Sequence, residues 1–349
     1  MVSKANNGKL RAGRADSSDD MELRRDPITN TWVLQVGADA DVNGADGCPL
    51  CPNGRAAALQ TLYEHPYGSP NWQVRAIPHL HPLYRIEGDP GRQGEGVYDR
   101  MRNLGAHEIV VEHPSHNLPL SRQSAEHVAE VLKAYVARII DLKKDRRFRY
   151  VTVFRNQGAA AGQDMEHPCS EITATPFVPR RVLYELRSSQ RYYQLKERCV
   201  SCDVLKQEME QQVRTVEWDD LFVAFCPYAS RVPYETWLAP LAHHHAFEEH
   251  LVTWKAQVHF ARVLKSVLSR IETVAPAYHM VLHTSPNVTA KFDRTGNWQT
   301  LAEDYHWHIE ILPVIPAKSK SYSLKEVYYN SLPPEKAAAD LKAATVEAA

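Results

Sequence analysis

Apolar positions recur along this chain in two rhythms. In SAEHVAEVLKAYVARIIDLKKDRR (124–147), Val128, Val131, Leu132, Tyr135, Val136, Ile139 and Ile140 fall at helical spacing. This predicts an amphipathic helix with Ser124 as its N-cap. FEEHLVTWKAQVHFARVLKSVLSRIETV (247–274) predicts a second long helix by the same rhythm. Runs rich in β-branched and aromatic residues predict strands: EIVVE within 105–116, RYVTVFRN (149–156) and SEITATPFVP (170–179). Further strands are expected within 220–230 and 235–245, and in AYHMVLHT (277–284) and YHWHIEILPVI (305–315).

These elements occur twice in one order: a Cys-x-x-Cys turn, a strand, a histidine, a long helix, a strand, and a strand led by histidine. Loop lengths differ while the order is kept, which predicts an internal duplication. The class is α+β, with residues 1–21 as a disordered polar tail and units over 22–190 and 191–349.

The duplication changes the meaning of the cysteines. Four of the six form two Cys-x-x-Cys pairs, GCPLCPNG (47–54) and ERCVSCD (197–203). Structural zinc takes four tetrahedral N or S ligands and commonly starts from such a turn. Cys48, Cys51, His116 and His167 are the expected first set, with His113 competing for the place of His116. Cys199, Cys202, His243 and His306 are the second, with His244 and His245 competing for the place of His243. Two zinc ions per chain follow. His167 and Cys169 are expected on one strand face, as are His306 and His308, so that one residue of each pair binds metal and the next meets a pocket. Cys226, inside FVAFC, reads as core.

Composition adds mainly exclusions. The 349 residues are 44% hydrophobic and 24% charged with a net charge of −1, so nothing points to nucleic acid as a partner. No apolar run is long enough to span a membrane, and the polar N-terminus lacks a secretory signal, so a cytoplasmic location is expected.

The order CPLCPNG, AHEIVVEHPSH, FRNQGAAAGQDMEHPCSEI, CVSCD, FCPYASRVPYETWLAPLAHH, YHWHIEILP and YYNSLPPEKAAADLK resembles the galactose-1-phosphate uridylyltransferase and ADP-glucose phosphorylase family of the histidine-triad superfamily, over about residues 22–343. The resemblance implies two tandem histidine-triad domains, each an antiparallel sheet with a packed helix. It implies a homodimer and nucleotidyl transfer on a nucleotide-sugar substrate through a nucleotidyl-histidine. It implies the same two sets of metal ligands; other relatives set a second metal on positions matching Glu185, His283, His306 and His308. Substrate contacts are implied at Arg75, His79, Asn156, Gly158, Gly162, Ser170 and His308, where Asn156, Gly158 and Gly162 match the family's phosphate loop.

The departures from that pattern are chemical. Cys169 stands where the family keeps its nucleophilic histidine, and Glu171 where it keeps a phosphate-binding glutamine. His79 replaces an asparagine that contacts the nucleotide, and the hexose-holding glutamate has no clear equivalent before Glu326. A thiol attacks as thiolate, with an ordinary pKa of about 8.5, and a charged Glu171 repels phosphate. Cys169 and Glu171 are the expected catalytic pair. Three outcomes stay open: transfer by Cys169 or directly between bound substrates, a different substrate or reaction on the same fold, or nucleotide binding without turnover.

Overall fold

A computed structural model describes residues 21–36, 47–290, 298–315 and 327–345. Most of the expected tail lies outside the described residues. The N-terminal half runs β1 (Glu22–Arg25), β2 (Trp32–Gln35), β3 (Tyr63–His65), β4 (Val74–Pro78), β5 (Gln93–Glu95), β6 (Tyr98–Arg102), β7 (Ala106–Val111), α1 (Ala125–Lys143), β8 (Tyr150–Gln157), β9 (Cys169–Thr175) and α2 (Arg180–Lys196). The C-terminal half continues with α3 (Val200–Gln211), β10 (Thr215–Trp218), β11 (Phe222–Phe225), β12 (Thr236–Pro240), α4 (Phe247–His250), α5 (Trp254–Val274), β13 (Tyr278–His283), α6 (Leu301–Asp304), β14 (His308–Pro313) and α7 (Pro334–Ala343).

Ten of these strands form one antiparallel sheet in the order β10-β11-β12-β14-β13-β8-β9-β7-β4-β3, and four make a smaller sheet, β2-β1-β6-β5. The large sheet consists of two five-strand halves joined at β8 and β13. Phe154 opposes Glu171, Val281 opposes Glu310, and Phe154 opposes Val281. The halves are therefore related by a pseudo-twofold axis through that last pair, as the duplication predicts. α2 runs across residues 190 and 191, so no break in structure marks that position.

Both long helices lie on one sheet face and pack against each other. Val128, Leu132 and Ile139 of α1 join Val110, Val153 and Ile172 in the main core, as Phe260, Leu264 and Leu268 of α5 join Phe222, Leu238 and Ile311. Burying each of these side chains contributes about 1.5–3 kcal/mol before entropy is counted. Ser124 caps α1 by accepting from the His127 N–H at 3.1 Å.

Three expectations need correction. Ile140 is 44% exposed and lies off the buried stripe of α1. The helix expected over 247–274 is two helices, broken before Thr253, which caps α5 by accepting from the Ala256 N–H. β9 and β14 begin at Cys169 and His308, so His167 and His306 precede their strands. In the first case Pro168 intervenes, and proline has no N–H for the ladder. Cys226 is fully buried in the main core, as expected. Among the described residues, no helix is long and apolar enough to cross a membrane.

Candidate active site and metal centres

The face opposite the long helices carries the chemistry. Its first cluster joins the turn at Cys48 and Cys51, His116 after β7 and His167 before β9, with ligand atoms within 4.8 Å of one another. Cys48 Sγ lies 3.6 Å from His167 Nδ1, and Cys51 Sγ lies 3.7 Å from Nδ1 of both His116 and His167. A tetrahedral ion with ordinary zinc bond lengths sets S and N about 3.6 Å apart. His167 Nε2–H donates to the His113 carbonyl at 2.7 Å, which leaves Nδ1 as a lone pair facing the sulfurs. His113 instead accepts the Ser115 N–H at Nδ1 and stays outside the cluster.

The second cluster repeats the first. Cys199, Cys202, His243 and His306 converge, with Cys202 Sγ 3.3 Å from His243 Nδ1 and 3.5 Å from His306 Nδ1. The Nε2–H groups of His243 and His306 donate to the carbonyls of Ala302 and Pro240. His244 stacks on His250, and His245 faces Glu249. A hydrogen bond from Cys202, with help from His243 and His306, pulls the Cys199 thiol far below its ordinary range. Both clusters have the donor chemistry and the outer hydrogen bonds that a metal ion requires.

Two other groupings of histidine and carboxylate come within the same distances, and ion pairs and hydrogen bonds of the chain hold most of their groups. In Glu185, His283, His308 and Glu310, the carboxylates are already matched. Arg181 pairs with Glu185 at 2.9 Å and with Glu310 at 3.0 Å, and Arg231 pairs with Glu310 at 2.6 Å. His306 belongs to the cysteine cluster instead. In His79, His107 and Glu171, backbone N–H groups fix the tautomers. The His81 N–H donates to His79 Nδ1 at 3.0 Å, and the Leu83 N–H to His107 Nδ1 at 3.2 Å. Nε2 of each neutral ring therefore carries hydrogen, and a metal needs a lone pair there.

That last trio belongs to the candidate active site. Strand alternation puts Cys169 and Glu171 on the face away from the long helices, with His107, Ile109 and Val111 of β7. His107 Nε2–H donates to Glu171 at 2.8 Å, and His79 stacks on His107 with ring centroids 4.0 Å apart. Asn156 shares this face and its Oδ1 meets His279 Nδ1 at 2.9 Å. Ser170 faces the other way, where its hydroxyl meets Tyr135 and Glu112. Of the expected substrate contacts it is therefore turned away from Cys169 and Glu171. Arg75 is held by Thr61 at 2.6 Å and by the Leu59 carbonyl at 3.1 Å. His308 lies in the other half of the sheet, at the place related to Cys169 by the pseudo-twofold axis.

The loop after β8 turns on two glycines with positive φ, +81° at Gly158 and +71° at Gly162. A Cβ on Gly158 would also lie 3.0 Å from that of Ala277. Gln163 caps the loop by accepting the Gly158 N–H at 2.6 Å. Beside it opens a cleft of about 920 Å³, walled by Cys48, Arg55, His116, Gln163 and Glu166. That volume suits a nucleotide sugar, since ligand pockets run to about 300–1,000 Å³.

Sequence reasoning missed what lies under Cys169. Arg155 Nη1 donates to Glu112 at 2.5 Å and to the Cys169 carbonyl at 2.9 Å, and Glu112 takes the Ser170 hydroxyl. Burial, then the negative charge of Glu112, pushes the Cys169 thiol far above its ordinary range, and Glu171 adds to this. The charge of Arg155 opposes this shift. For Arg155, Glu112 and His107 no local motif was available, because their partners are far apart in sequence.

Burial, then the neighbouring His107, pushes His79 down to about 4. The unfolded chain therefore binds the extra proton between about pH 6.5 and pH 4, so this share of stability is whole above 6.5 and falls as the pH drops. By pH 5 the loss is about 2 kcal/mol. His79→Gln removes it, so the gap in urea unfolding free energy between wild type and variant closes by about that amount from pH 7 to pH 5. A gap independent of pH contradicts this.

Comparison with known proteins agrees with this geometry. Residues 21–179 match the family model described as galactose-1-phosphate uridyl transferase, N-terminal domain. ADP-glucose phosphorylase of Arabidopsis thaliana is 29% identical over 321 residues, covering 86% of this chain and 87% of the relative. Galactose-1-phosphate uridylyltransferase of Thermotoga maritima is 26% identical over 337 residues, covering 94% and 99%. The crystal structure of the Arabidopsis thaliana ADP-glucose phosphorylase with bound ADP-glucose superposes with a TM-score of 0.74 at 26% identity, over 93% of this chain and 99% of that one. Over residues 21–179 by that model, and over nearly its full length by these relatives, the chain is similar to galactose-1-phosphate uridylyltransferases and to ADP-glucose phosphorylase.

Proposed function

We propose that this protein moves a nucleotidyl group from a nucleoside diphosphate sugar to a second phosphate in the cleft of its N-terminal half, by direct displacement. The relatives, named as a uridylyltransferase and an ADP-glucose phosphorylase, supply the reaction class. The observation that carries the direct route is the residue itself: a cysteine stands where the family keeps its nucleophilic histidine, at the start of β9, and burial and the charge of Glu112 disfavour its thiolate against the opposing charge of Arg155. A thiol whose thiolate is disfavoured is a poor nucleophile. An oxygen of the acceptor, a hexose 1-phosphate or inorganic phosphate, forms the new bond to the α-phosphorus. The bond from that phosphorus to the bridging oxygen breaks, and hexose 1-phosphate leaves.

In this reading the Gly158–Gly162 loop offers the phosphates its backbone N–H groups at Ala159 and Ala160, since those of Gly158, Ala161 and Gly162 are bonded within the loop. Asn156 orients them, and the His107 and His79 N–H groups offset the charge of Glu171 against phosphate. Each Cys2His2 cluster takes one zinc ion, two per chain, in a homodimer. Bound zinc supplies a cross-link that fixes the start of β9 or β14.

The test uses UDP-glucose and ADP-glucose labelled at the α-phosphorus, with each acceptor and a denaturing quench. Label passes to the product nucleotide and none stays on protein, and Cys169→Ala keeps its rate within roughly tenfold of wild type. Label on Cys169, or no transfer from either donor, overturns the reading.

A further inference from the structure

The two halves of the sheet treat the same face differently. In the N-terminal half, Leu50, Ala56 and Met165 pack over Ile77, Ile109 and Val111 and cover them. Strand register makes Phe225, Trp237 and Ala239 their counterparts. There the face stays open to a cavity of about 210 Å³, walled on its far side by Val204 and Leu205 of α3 and by Ser189 of α2.

His308, the counterpart of Cys169, lines this cavity and is only 7% exposed. Its Nδ1–H donates to the His306 carbonyl at 3.2 Å, while its Nε2 is buried with no hydrogen-bond partner. The Glu310 carboxylate stands 3.9 Å away, beyond hydrogen-bond reach. Trp237 stacks on the His308 ring at 4.7 Å, and its own N–H goes to Glu235. An apolar void forfeits packing contacts, and a buried unpaired nitrogen forfeits its solvation. A ligand that fills the void and pairs with Nε2 removes both costs.

The walls restrict what that ligand is. Aromatic faces favour a planar ring. The Glu185 carboxylate lines the cavity and no lysine or arginine does among the described residues, so the charge of a phosphate group is unmatched there. The volume holds a base and excludes a whole nucleotide sugar. From these we infer a second binding site in the C-terminal half that takes a nucleobase, free or as an uncharged nucleoside. The polar edge of the ring meets His308 Nε2, and one of its faces lies against the wall of Phe225 and Trp237.

Photoaffinity labelling of the metal-loaded full chain tests this, with 2-azidoadenosine and 5-azidouridine as probes. Saturating UDP-glucose and ADP-glucose keep the larger cleft occupied. At least one probe labels peptides spanning residues 200–205 or 237–239, and adenine or uracil competes roughly tenfold better than AMP or UMP. Val204→Trp, which fills the cavity, abolishes that labelling. If this variant does not fold, the wild-type map and the competition order decide alone. Label confined to residues 47–55 and 156–171, labelling unchanged by Val204→Trp, equal competition by the nucleotides, or no labelling by either probe each overturns the inference.

Discussion

Replacing Cys51 by serine removes about one metal ion per chain and lowers the melting temperature by roughly 10 °C. Cys51 lies 3.7 Å from Nδ1 of both His116 and His167, so it is central to its cluster. The cluster ties three distant stretches together: the turn at 47–54, the end of β7 and the approach to β9. Without the metal, His167 is a buried imidazole with Nδ1 facing a sulfur and a hydroxyl, and the start of β9 loses its anchor. Cys202→Ser acts in the same way on β14, and the double variant carries no bound metal. Metal content by plasma emission and melting by differential scanning calorimetry read both effects. Full metal content in Cys51→Ser would contradict the assignment.

Arg155→Met destabilises the fold by about 3–5 kcal/mol, because it leaves the Glu112 carboxylate buried and unpaired. The two side chains are 1% and 0% exposed, so water cannot replace the lost partner. The same substitution frees the Cys169 carbonyl, which Arg155 holds at 2.9 Å. The active-site strand thus loses a backbone support as well as a charge partner. Glu112→Gln alone is also costly, since it strands the guanidinium. The pair Arg155→Met with Glu112→Leu recovers much of the loss, because both charges go together. Urea unfolding of the two single variants and the double one measures the coupling. A cost for Arg155→Met under about 1 kcal/mol would contradict the account.

Much of this was readable in the sequence, for a physical reason. Cys-x-x-Cys turns and ordered histidines need little context, and a duplication lets each half check the other. Both ligand sets therefore came out as the clusters that the fold brings together, with His113, His244 and His245 set aside only by geometry. Period two was also available: it puts Cys169 with Glu171 and turns Ser170 to the helix face, although Ser170 stood among the expected substrate contacts. What stayed hidden depends on distant pairing. His107 meets Glu171 across 64 positions and Arg155 meets Glu112 across 43, with no local signal of either. The state of Cys169 was hidden for the same reason, since Glu112 and the burial around it appear only when β7, β8 and β9 assemble.

The route of transfer is tested most directly by the stereochemical course at the α-phosphorus. A nucleoside diphosphate sugar with sulfur at one α-oxygen, in a single configuration, serves as donor. Direct displacement predicts a product nucleotide with inverted configuration. Retention would mean two displacements through a nucleotidyl-protein, and would contradict a Cys169 that is no nucleophile.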